Sequence, residues 1–241
     1  MHTAKTIRGP RAGKSVLGNL AQSSIGAKWM MAVTGALFFF WLILHVAGNL
    51  QIFRGAAVLN KYAAFLAEEP LLLWGQRVGL FVVVVLHVCA GLRLWYLNRD
   101  ARAERYAAGY RYRRATWITR TMAYTGVLLL AFILFHLAHF TLGWVYPSEF
   151  KNVHGGGIAD VYSMMVSSFS RGGIVAIYVA GMALLALHLS HGIWSAFQTM
   201  GLNGKRWTPF ALQGGRAAAV ILAAAFAAIP IAVLIGFIQH S

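Results

Sequence analysis

The sequence predicts an all-α integral membrane protein with five transmembrane helices. Its 241 residues are 59% apolar and only 11% charged, whereas soluble domains are near a quarter charged. Five apolar runs stand out by length, at roughly 28–53, 71–97, 118–145, 171–198 and 217–238. Each is long enough for the ~20 residues that cross roughly 30 Å of hydrocarbon. With connections, five such runs use up the chain, so 1–241 reads as a single membrane domain with no large soluble part.

The first run follows a basic N-terminal segment and resembles a signal peptide in that respect alone. It is too long for a signal-peptide core and has no clear cleavage site, so it is expected to be retained. The second run begins after Pro70, the third after an arginine-rich connection, the fourth at Arg171 and the fifth after Arg216. Pro10, Pro70, Pro147 and Pro209 fall outside the runs, where a missing N–H does least harm. Pro230 lies within the fifth and is expected to kink it, which membrane helices tolerate. No low-complexity tract or sequence repeat is evident.

A formal charge of +15 would suggest nucleic acid in a soluble protein. Here the basic residues cluster between apolar runs, as orientation in a bilayer requires, and nucleic-acid binding is not expected. Lys5, Arg8, Arg11, Lys14 and Lys28 precede or open the first run; Arg99, Arg102, Arg105, Arg111, Arg113, Arg114 and Arg120 join the second to the third; Lys205, Arg206 and Arg216 precede the fifth. The opposite side has only Arg54, Lys61, Arg77, Lys151 and Arg171, and Arg93 lies near the inner end of the second run. This places the N-terminus in the cytoplasm and the C-terminus outside a cytoplasmic (inner) membrane. Cys89 is the single cysteine, so there is no disulfide framework, no Cys-x-x-Cys knuckle and no thioether attachment for a haem.

Six of the nine histidines lie in the first four runs: His45, His87, His136, His139, His188 and His191. Ionisable groups at membrane depth are costly and mark functional sites. His45 stands 17 residues after Lys28 and His136 stands 16 after Arg120, about 25 Å from the inner boundary at 1.5 Å per residue. His87 stands 12 before Arg99 and His188 stands 11 before Thr199, about 17 Å from that boundary. The histidines thus sort into two pairs, one per membrane half, each from two different helices. Two six-coordinate haems require that arrangement, with the first four helices forming a haem-binding bundle. Iron held by two imidazoles has no vacant position for oxygen, which points to electron transfer.

His139 and His191 each follow another candidate by three residues, and position alone leaves either of them open as a replacement ligand, a propionate contact or a quinone contact. Gly48, Gly91 and Gly192 neighbour His45, His87 and His188 on their helices. A flat macrocycle needs close backbone approach there, although glycine is also common in membrane helices for packing. His2, His154 and His240 lie outside the runs and are expected to be solvated.

The segments SSIGAKWMMAVTG, LHVAGNLQIF, TRTMAYTGVLLLAFILFHLAHFTLGW and LHLSHGIWSAFQTMG resemble the membrane cytochrome b subunit of succinate:quinone oxidoreductases (succinate dehydrogenase/fumarate reductase), of the single-subunit, two-haem type. The resemblance extends over essentially the whole chain. It implies axial iron ligands at His45, His87, His136 and His188, paired first helix with third and second with fourth. That makes His45 and His136 the outer haem b site and His87 and His188 the inner one, with no ligand role carried over to His139 or His191. It also implies a flavoprotein subunit and an iron–sulfur subunit on the cytoplasmic face, and a membrane quinone, commonly menaquinone. This chain would be the electron-transfer and quinone-reactive subunit, and the succinate chemistry would lie on its partners.

Haem propionates favour cationic or N–H and O–H partners near the interface. Lys28, Arg93 and Arg120 lie at suitable depth for the inner haem, and Gln51, Trp144 and Arg171 for the outer haem; snorkelling or interfacial anchoring accounts for each equally simply. Quinone reduction also needs a proton donor or acceptor, and Glu68 and Glu69, just before Pro70, form the densest acidic spot on the outer side. A two-haem anchor of another quinone-linked dehydrogenase, such as formate dehydrogenase or hydrogenase, shares the bis-histidine chemistry, and its co-purifying subunits would distinguish it. A haem-free transporter with a histidine proton relay would be colourless and does not require two depth-matched pairs.

Overall fold

The computed structural model describes residues 23–100, 117–148, 150, 160–202 and 204–239. Lys5, Arg8, Arg11, Lys14, Arg102, Arg105, Arg111, Arg113, Arg114, Lys151, His2, His154 and His240 lie outside the described residues, as does the side chain of Arg120.

Helix α1 spans Ser24–Asn49 and opens on Ser23, whose hydroxyl accepts from the Gly26 N–H at 3.0 Å, satisfying one of the donors left over at a helix start. It tightens into a 3-10 turn, Leu50–Arg54, which stops at Gly55; φ there is +94°, a value glycine adopts without steric cost. A short helix α2 (Ala56–Glu68) follows, then α3 (Pro70–Asp100), with Pro70 in the first helical position. Helix α4 (Trp117–His136) passes directly into a π-helical turn, Leu137–Thr141. A second short helix, α5 (Val161–Phe169), is capped by the Asp160 carboxylate on the Ser163 N–H at 3.0 Å. Helices α6 (Gly172–Thr199) and α7 (Trp207–Leu234) complete the chain.

Among the described residues the fold is all-helical, and five helices are long and apolar enough to cross a membrane. Helix α7 starts at Trp207, ahead of the apolar run at 217. Pro209 falls in its first turn, where a missing N–H costs nothing, and Arg216 lies on the helix instead of in a connection. The long helices leave Phe40, Leu44, Phe81 and Ile221 well exposed. Apolar surface that extensive faces lipid or a partner, not water.

Helix α1 packs against α3 and α6, α4 packs against α6, and α7 lies along α6 and α1, while α3 and α4 barely meet among the described residues. The first four long helices therefore run round a ring in the order α1, α3, α4, α6. α1 and α4 face each other across one diagonal, and α3 and α6 across the other.

One end of the bundle is closed by a cap. Ile52, Leu59, Tyr162, Val166, Phe169, Tyr178, Ile229 and Val233 form a buried cluster drawn from the 3-10 turn, α2, α5, α6 and α7. Asn60 fastens α2 to α5: its amide donates to the Asp160 carboxylate at 2.9 Å, and its carbonyl accepts the Tyr162 N–H at 3.0 Å. Hydropathy alone leaves these two connections without structure.

Candidate functional site: two histidine pairs across the bundle diagonals

His45 on α1 and His136 on α4 stand with ring centroids 6.0 Å apart. His87 on α3 and His188 on α6 stand 6.5 Å apart. Two imidazoles bound on opposite sides of one metal ion, with metal–nitrogen bonds of about 2 Å, have centroids roughly 6–6.5 Å apart. Among the described residues no three or more His, Cys, Asp or Glu side chains converge as a metal-binding group, so the histidines meet two by two.

The surroundings decide which nitrogen of each ring is available. The Thr34 hydroxyl donates to the Met30 carbonyl at 2.6 Å and lies 2.8 Å from His87 Nδ1. A hydroxyl that gives its one proton to the Met30 carbonyl can only accept from His87, which puts the proton of that ring on Nδ1 and the lone pair on Nε2. Thr125 repeats the device: its hydroxyl lies 3.1 Å from the Met122 carbonyl and 3.1 Å from His188 Nδ1, and when it donates to the first it accepts from the second. Partners of this kind orient a metal-binding imidazole and raise its basicity. The next residue along each helix is glycine. A Cβ at Gly35 would lie 3.6 Å from His87 Cε1, and one at Gly126 would lie 3.4 Å from His188 Cε1, so each ring sits directly against backbone.

The other pair is held differently. His136 Nδ1 lies 3.2 Å from the Tyr178 hydroxyl, and its ring is stacked near Phe132. His45 is stacked on Trp41 at 4.5 Å; its Nδ1 has only the Asn49 amide nitrogen at 3.5 Å, too long to fix a tautomer. Donor sets of two facing imidazoles, with Nε2 free at His87 and His188, fit the axial demands of haem iron.

Thr34 shares the level of His87, yet it precedes His45 by eleven residues on the same helix, about 16 Å of rise. Thr125 and His136 repeat that spacing on α4. The two levels are therefore farther apart than the difference of about 8 Å expected from the basic residues bordering each run. Basic side chains at the ends of different helices are not coplanar, and Arg99 lies well beyond the level of Lys28.

His139 is 4% exposed and its Nδ1 lies 3.0 Å from the same Tyr178 hydroxyl. His191 is partly buried one turn beyond His188. Of the glycines singled out in the sequence, Gly48 receives the ring of Tyr62, whose Cε1 would stand 2.7 Å from an added Cβ; Gly91 faces Met31; and Gly192 has nothing within 4 Å. Gly48 thus makes room for an α2 side chain.

Lys28 is exposed near the start of α1, Arg93 is half-buried on α3, Gln51 is half-buried in the 3-10 turn and Trp144 is exposed just past the π turn. The Arg171 guanidinium lies 4.0 Å over the Tyr146 ring and donates to the Ser167 carbonyl at 2.9 Å. Glu68 ends α2 and Glu69 links it to α3, both exposed. Sequence reasoning gave Thr34, Thr125 and Tyr178 no role as histidine partners, because the rings they meet belong to other helices.

Fold and site together define a class: an all-helical, multi-pass membrane protein with two histidine pairs at separate depths between facing helices. Within it, the chain is similar to the succinate dehydrogenase cytochrome b558 subunit of Bacillus subtilis (strain 168), with 24% identity over 163 residues, 68% of this chain and 73% of that protein. No family model and no solved structure matches the chain.

Proposed function

We propose that this chain is the di-haem cytochrome b membrane anchor of a succinate dehydrogenase/fumarate reductase complex, passing electrons between an iron–sulfur subunit and membrane quinone. The observation that carries the reading is the pair of imidazole separations, 6.0 and 6.5 Å, across the two diagonals of one bundle. The similarity to a succinate dehydrogenase cytochrome b subunit favours this complex over other quinone-linked dehydrogenases.

Bound haem b would supply a one-electron couple at each level, with both axial positions filled and none open to oxygen. His87 and His188 would hold one iron through Nε2, with Thr34 and Thr125 fixing their tautomers. His45 and His136 would hold the other, nearer the capped end. Charge distribution supports an N-terminus in the cytoplasm, which puts the capped end and the His45–His136 pair on the outer side of a cytoplasmic membrane. The flavoprotein and iron–sulfur subunits would then dock on the inner face, and succinate would react there. Lys28, Arg93, Arg120, Gln51, Trp144 and Arg171 remain the candidates for propionate or quinone contacts. Glu68 and Glu69 are the candidates for proton exchange with quinone, menaquinone being the favoured type.

The test is a reduced-minus-oxidised spectrum with haem quantification on the purified complex, repeated for alanine variants at His45, His87, His136 and His188. Two haems b per chain are expected, with each variant losing at least the haem at its own level. A colourless protein, or one that keeps both haems in all four variants, refutes the reading. Co-purification with formate dehydrogenase or hydrogenase subunits would replace the complex while retaining the haem sites.

A further inference from the structure

We infer that Tyr178 sets the tautomers of His136 and His139 together, presenting His136 Nε2 to iron and holding His139 as an Nε2–H donor that cannot ligate. The inference rests on the haem reading above, with His136 as the ligand, and assigns a state to His139 in the π turn just beyond it.

Tyr178 on α6 has one hydroxyl, and two imidazole nitrogens address it: His136 Nδ1 at 3.2 Å and His139 Nδ1 at 3.0 Å. A phenol has one proton to give. If both Nδ1 atoms were bare, that proton would serve only one of them. If both were protonated, the hydroxyl would accept twice and its own hydrogen would point into a shell formed by Phe132, Phe135, Phe140 and Phe169, whose rings lie 5.0–6.1 Å from that of Tyr178. Either arrangement leaves one of the three groups that meet at this oxygen without its partner there. The arrangement that pairs all three has one Nδ1–H donating to the oxygen and the phenol proton donated to the other Nδ1.

The ring pairing supplies the direction. His136, not His139, faces His45, and binding iron through Nε2 requires the proton of His136 to be on Nδ1. That N–H donates to Tyr178, Tyr178 donates to His139 Nδ1, and the remaining proton of His139 is on Nε2. The π turn that begins directly after His136 carries His139 into the interior, where its ring stacks on Phe140 at 4.1 Å. Tyr178 is therefore a positioning residue, acting on the iron through His136. By donating its own proton onward it becomes a better acceptor, so His136 would give more electron density to a bound haem iron and favour its oxidised state.

The experiment is potentiometric titration of both haems, with the low-temperature EPR spectrum, in the intact complex carrying Tyr178→Phe or His139→Phe. Tyr178→Phe should keep two haems, shift one of them about tenfold toward the reduced form, about 59 mV for a one-electron couple, and move the EPR signal of that haem alone. His139→Phe should shift the same haem in the same direction by less, also with both haems retained; it carries the test if the tyrosine variant does not assemble. Unchanged potentials in a Tyr178→Phe protein that holds two haems overturn the inference, as does loss of a haem in His139→Phe. A wild-type complex without haem would instead refute the proposed function itself.

Discussion

Thr34 and Thr125 provide the sharpest perturbation, because each lies on a helix whose own histidine belongs to the other level. Replacing either with valine keeps the branched shape and removes the hydroxyl beside a half-buried imidazole Nδ1, at 2.8 Å for His87 and 3.1 Å for His188. Leaving a buried donor without its acceptor costs about 1–3 kcal/mol, roughly 5- to 150-fold in an equilibrium constant. That range encloses the 10–100-fold loss of metal affinity typical when such an outer partner is removed. Each substitution should therefore weaken retention of the haem at His87–His188 by about tenfold or more and raise its potential, while the haem at His45–His136 is unaffected. Because both variants would act on the one haem proposed at His87–His188, the Thr34→Val, Thr125→Val double variant should depart from simple additivity. The assay is haem release under increasing detergent, with potentiometric titration resolving the two sites. If Thr34→Val instead disturbs the haem held by His45, on its own helix, the assignment of levels is wrong.

Three further outcomes follow from other contacts. An added Cβ at Gly181 would stand 2.6 Å from Phe132 Cδ2 and 2.7 Å from Cε2, so Gly181→Ala should cost about 1–3 kcal/mol by overpacking and disturb the spectrum of the His45–His136 haem, measured by thermal unfolding and absorbance. Asn60→Ala removes both sides of the clamp between α2 and α5; hydrogen exchange at Tyr162 should accelerate with both haem spectra unchanged, and an unaltered exchange rate would show that the clamp contributes nothing. Glu68→Gln with Glu69→Gln should reduce quinone turnover, by on the order of 10²-fold if proton transfer there is obligatory, and unchanged turnover removes both residues as candidates.

The five long helices were legible because a membrane span is a matter of length and hydropathy, and 11% charge leaves few ways to arrange this chain in water. Counting residues along each run put His45 with His136 and His87 with His188, and the structure brings those rings to 6.0 and 6.5 Å, but counting from basic residues on different helices misjudged how far apart the two levels lie. What escaped depends on tertiary partners. Asn60 and Asp160 are a hundred residues apart and meet only when the cap forms. Tyr178 reads as one more aromatic on an apolar helix until two histidines from α4 reach it. Gly48 has the spacing of a residue beside a macrocycle, and the structure fills that space with Tyr62.

The repeat that hydropathy concealed is local and has a physical cause. Thr34-Gly35 precedes His45 by the same spacing as Thr125-Gly126 precedes His136, with only apolar residues between. On each helix the threonine and glycine serve the histidine of the next long helix in the chain that lies at their level or its diagonal partner: Thr34 reaches His87, and Thr125 reaches His188. Eleven residues make about three turns, so on both helices the threonine and the histidine project from nearly the same face toward the bundle interior. A pair of ligands at each of two depths can thus be built from one pattern used twice, α1 and α4 each supplying a ligand at one level and a tautomer-fixing hydroxyl at the other. The likeness breaks at the capped end, where His136 Nδ1 has a phenol partner and, among the described residues, His45 Nδ1 has a distant amide. Two haem irons held at these pairs, as proposed, would differ in potential even with four imidazole ligands, because the outer partners set how much electron density each ring donates.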